Sequence, residues 1–83
     1  MKIDFRTIQV KDIEGNSSTL DISKMLGNAI YTKTADLGEL ELAQQIYKNG
    51  EVELSPNEAE RIKEYVKSNF IAAVQVAVNE ALS

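Results

Sequence analysis

The sequence predicts an α+β fold in one domain spanning residues 1–83: a small antiparallel sheet, made from an N-terminal β-hairpin and a short third strand, packed with three to four helices. Three observations predict it. Apolar and polar residues alternate on both sides of a turn-rich centre at Glu14-Gly15-Asn16-Ser17-Ser18, the pattern of a hairpin. From Ile22 the apolar spacing changes from two to three and four, which is the period of an amphipathic helix. Ser55-Pro56 followed by Glu58 then combines an N-cap, a proline at the first helical position and a capping-box glutamate.

Taken in order, residues 7–13 and 18–22 form the hairpin strands. Ile3 and Phe5 lie on one parity and Ile8 and Val10 on the other, so a bulge or bend near Thr7 is needed to bring both pairs to one core. Ile22, Met25, Leu26, Ala29 and Ile30 supply the stripe of the first helix, with Asp21 as its N-cap. Asp36 and Glu39 stand at capping-box spacing before a second helix, whose buried face is Leu37, Leu40, Ala43, Ile46 and Tyr47 and whose end is Asn49-Gly50. Glu51-Val52-Glu53-Leu54 alternates and reads as a short strand added to the hairpin. Ala59, Ile62, Val66, Phe70, Ala73 and Ala77 continue the apolar period beyond Pro56, predicting one helix over residues 56–82, about 40 Å long. Ser68-Asn69 is its weak point: if the helix breaks there, Ser68 recaps a second segment beginning at Phe70.

Composition narrows the chemistry. The 83 residues include no Cys and no His, which removes disulfides, zinc fingers, a cysteine nucleophile and an imidazole base. No catalytic, cofactor-binding or metal-binding residue is expected. The E-x-E pairs Glu39/Glu41 and Glu58/Glu60 fall on helices, where residues two apart diverge by about 200°. Glu51 and Glu53 share a strand face, yet nothing in the sequence marks the further ligands a metal needs. The four glycines are isolated, so no phosphate-cradling loop exists. Tyr31, Tyr47 and Tyr65 each sit beside apolar residues in a helical pattern, the setting of an amphipathic core edge rather than a stacking platform. A net charge of −4 with nine scattered cations argues against nucleic-acid binding. The chain contains no apolar run of membrane-spanning length and no signal-peptide pattern, and the cytoplasm is the expected compartment.

Two features point to partners. A chain of this length buries only about 60–65% of its unfolded surface, and Phe70 to Val78 is interrupted by a single polar residue, Gln75. One reading sandwiches this segment between the sheet and the other helices of the same chain; the other makes Phe70, Ile71, Val74 and Val78 candidate contacts of a homodimer. Between Asp36 and Glu64, eight acids face three bases, and Glu51, Glu53, Glu58 and Glu60 are the candidate acidic patch for a basic partner. Acids at two helix starts also have a purely structural reason in the helix dipole.

The strings Leu26-Gly27-Asn28-Ala29-Ile30-Tyr31 and Gly50-Glu51-Val52-Glu53-Leu54-Ser55 resemble small uncharacterised proteins encoded in prophages and other mobile elements of bacteria. The resemblance covers about half the chain, implies a bacterial cytoplasm and an accessory or assembly role, and transfers no functional residue. The resulting expectation is a non-enzymatic interaction protein that homodimerises. The alternatives are a small dimeric DNA-binding regulator and an acidic inhibitor or mimic of a basic partner.

Overall fold

A computed structural model describes residues 1–83. It has the α+β architecture, with four helices and two small antiparallel sheets. Strand β1 (Lys2–Asp4) leads into a tight bend, after which β2 (Ile8–Lys11) and β3 (Ser17–Leu20) form the hairpin. At the bend the Arg6 amide donates to Asp4 Oδ1 and the Thr7 amide to the Asp4 carbonyl, while the Arg6 guanidinium grips the same carboxylate through two bonds of 3.0 Å. The turn absorbs the change of parity, so that Ile3, Phe5 and Ile8 are all buried.

The short strand β4 (Glu51–Glu53) lies elsewhere than expected. It pairs antiparallel with β1, Ile3 opposite Val52, and makes a sheet separate from the hairpin. A three-residue β1 carries almost no alternation, and its partner is some fifty positions away, so the pairing leaves no local trace. Phe5 links the two sheets through its backbone, donating to the Gly50 carbonyl and accepting from the Ile22 amide, both at 2.9 Å.

Helix α1 (Ser23–Lys33) is capped one residue later than expected. Ile22 is the cap residue, and the Asp21 carboxylate accepts from the Ser23 amide and hydroxyl instead. Helix α2 (Leu37–Asn49) is capped by Asp36, which accepts from the Gly38 amide, and stops at Gly50 with φ +76°. That left-handed backbone is open to glycine at low cost. The expected reciprocal bond from Glu39 is not made: the Asp36 amide donates to Thr34 Oγ1, and Glu39 turns toward another helix. Helix α3 (Pro56–Asn69) starts as the sequence indicates, with both capping-box bonds present between Ser55 and Glu58.

The long apolar C-terminal helix is replaced by two helices. The chain extends at Phe70 and Ile71 and restarts as α4 (Ala72–Ala81). Ser68 does not recap it; Ile71 occupies the cap position without a side-chain bond. The Gln75 side-chain amide donates to the Phe70 carbonyl at 2.9 Å and to the Lys67 carbonyl of α3's last turn at 3.4 Å, so one side chain of α4 ties the elbow to the end of α3. The break has an energetic reason. A straight helix would carry its apolar end away from the rest of the chain, whereas the elbow folds Val74, Ala77, Val78 and Leu82 into the same 18-residue core as Phe5, Leu26 and Ile46. No helix is long and apolar enough to cross a membrane.

Candidate functional site

The four acidic candidates are spread over separate local pairings. Glu51 meets Lys2 at 3.5 Å, Glu53 meets the Met1 amino group at 3.1 Å, Glu58 closes the α3 capping box, and Glu60 meets Lys63 at 3.5 Å. No group of three or more Asp or Glu side chains is gathered closely enough to hold a metal ion. Exposed pairs of this kind contribute little to stability.

The most organised polar constellation is one the sequence pattern conceals. The Glu39 carboxylate accepts from Tyr65 Oη at 2.7 Å, Thr34 Oγ1 at 2.9 Å and Arg61 Nε at 2.9 Å, joining α2 to α3. Arg61 also reaches Glu64 at 2.7 Å and lies over the Tyr65 ring. The Tyr65 hydroxyl, then the Arg61 guanidinium, hold the Glu39 carboxyl below its usual value. Three donors from Thr34, Arg61 and Tyr65 on one carboxylate make a structural clamp between α2 and α3, and the capping-box spacing of Glu39 hides it.

The C-terminal candidates divide. Val74 and Val78 are only 4% and 0% exposed, packed inside the chain's own core, so of the two readings of this segment burial within the chain holds for them and the outward dimer face does not. The elbow rotates that face inward. Phe70 is half-buried against the core, and Ile71, at the elbow, is 73% exposed. Around Ile71 the structure gathers further apolar residues: Leu20 at the end of β3, Ile22, Met25 at the start of α1, Phe70 and Val74 line a groove of about 280 Å³. Leu20 and Met25 are 41% and 63% exposed. Met25 belongs to the helical stripe read from the sequence, yet it is exposed beside the elbow.

Tyr65 serves the clamp, whereas Tyr31 of α1 and Tyr47 of α2 stand at a second cleft with Asn28 and Gln44. No protein-family model, curated protein or solved structure matches the chain.

Proposed function

We propose that the protein is a non-enzymatic interaction module that pairs with a second copy of itself through the groove at the α3–α4 elbow. The observation carrying this reading is the convergence of Leu20, Met25 and Ile71, all substantially exposed, on one apolar groove. Asp21 is the only charged residue lining it. Two molecules of net charge −4 can therefore meet there with little like-charge repulsion. Covering three such side chains per copy contributes about 1–2 kcal/mol each, against an association cost of about 4–15 kcal/mol. The pairing is accordingly weak and concentration-dependent. An accessory role in a bacterial mobile element, implied by the sequence resemblance, fits a small pairing module, and neighbouring capsid or tail genes would support it.

Light scattering over a concentration series tests the pairing. A rise in mass toward the dimer near millimolar concentration is expected, and Ile71→Asp should abolish it while leaving the helical circular dichroism intact. A monomeric mass throughout, or a dimer that survives Ile71→Asp and Met25→Asp together, overturns the assignment.

A further inference from the structure

Helices α1 and α2 carry the same local pattern. Leu26-Gly27-Asn28-Ala29-Ile30-Tyr31 and Leu42-Ala43-Gln44-Gln45-Ile46-Tyr47 agree in residue character at every place but the fourth. Equivalent residues do equivalent jobs. Leu26 and Leu42, like Ile30 and Ile46, are buried in the core. Gly27 and Ala43 meet where the helices touch: a Cβ on Gly27 would stand 2.9 Å from both the Ala43 carbonyl oxygen and Tyr47 Cβ. That close approach leaves Asn28 and Tyr31 on one wall of a cleft of about 270 Å³ and Gln44 and Tyr47 on the other.

The exposed groups of this cleft are of three kinds. Tyr31 and Tyr47 are 49% and 47% exposed, and aromatic rings of this sort stack on planar heterocycles. The Asn28 and Gln44 amides, both exposed, each offer a donor and an acceptor, the combination that pairs with the edge of adenine. Lys48 lines the cleft and Lys24 Nζ lies 4.9 Å from the Tyr47 ring centroid. Although the whole chain is acidic, α1 carries two lysines and no acid, and of α2's two glutamates Glu39 is tied into the clamp, leaving Glu41. The size suits one base rather than an extended ligand, and the scattered cations offer no track for a polynucleotide backbone.

We propose that the α1–α2 cleft binds a free purine nucleoside monophosphate. The base lies against Tyr31 and Tyr47, its hydrogen-bonding edge meets Asn28 and Gln44, and the phosphate reaches Lys24 and Lys48. Titration of the whole chain with adenosine monophosphate, adenosine and ribose 5-phosphate, followed by NMR, tests it. Adenosine monophosphate should move the Asn28 and Gln44 side-chain amide signals and shift the Tyr31 and Tyr47 ring protons upfield, saturating near ~1 mM. Adenosine should move the same signals several-fold more weakly, and ribose 5-phosphate should leave them in place. Replacing both tyrosines by leucine should weaken binding at least about five-fold, the low end for one stacked base. Gln44→Ala, at an exposed position, should weaken it in a chain that keeps its fold. Three outcomes overturn the proposal: no movement of these signals at about ten times that concentration, ribose 5-phosphate matching adenosine monophosphate, or unchanged affinity in a folded Tyr31→Leu/Tyr47→Leu or Gln44→Ala chain.

Discussion

At the scale of single residues, Glu39 shows how one carboxylate can be claimed by two readings. Its spacing from Asp36 suits a capping box, which local sequence can express; its actual partners, Thr34, Arg61 and Tyr65, lie up to 26 positions away, which local sequence cannot. The consequence is a pH dependence. Because the folded carboxyl titrates below its unfolded value, the stability it contributes is complete above the unfolded pKa and is lost as pH falls through the folded one. Denaturant unfolding should therefore show wild type exceeding Glu39→Gln by about 1 kcal/mol near neutrality, with the difference shrinking below about pH 4.5. A difference independent of pH over that range would assign the loss to packing rather than charge.

At the scale of elements, legibility follows how local the determining signal is. The Ser55-Pro56-Glu58 start of α3 is complete within four residues and was fully readable. The α3–α4 elbow is legible only as a weak point at Ser68-Asn69, because Phe70 and Ile71 fit the apolar run on either side; what the sequence does not show is the burial that Val74 and Val78 gain after the turn. For the same reason the outward apolar residues beside the elbow, Leu20 and Met25 with Ile71, are not marked by the periodicity, whereas Val74 and Val78 are buried. The repeated pattern over residues 26–31 and 42–47 was available in the sequence, but it appears only when two helices are compared with each other. Its small residues set the spacing of the α1–α2 hairpin. Gly27→Ala would press a methyl group against Ala43 backbone and Tyr47 Cβ at 2.9 Å, where neither can swing aside. A loss of about 1–3 kcal/mol is expected despite alanine's better helix propensity, measurable as a fall in the urea midpoint at unchanged slope.

At the scale of the whole molecule, the body extends 41 × 22 × 21 Å around one continuous core. The fold class was legible because the change of apolar period at Ile22 is a local signal repeated redundantly over many residues. The division into two sheets was not, since it depends on a three-residue strand finding a partner after α2. Strand β3 is the part least anchored to that core: all four of its residues are exposed and β2 is its only strand partner, whereas β2 places Ile8 in the core.

That outlying strand bears on colloidal behaviour. Ser17-Ser18-Thr19-Leu20 carries no lysine, proline or acid, the devices that keep an unpaired edge from templating another chain. Away from the isoelectric point the net charge holds molecules apart; at about pH 4.7 that repulsion vanishes while the edge stays uncharged. Turbidity should rise there over hours with growth of β signal in circular dichroism, and Thr19→Lys should delay it even when the comparison is made at the variant's own isoelectric pH. The strand that contributes least to the core thus sets the conditions under which the protein remains dispersed.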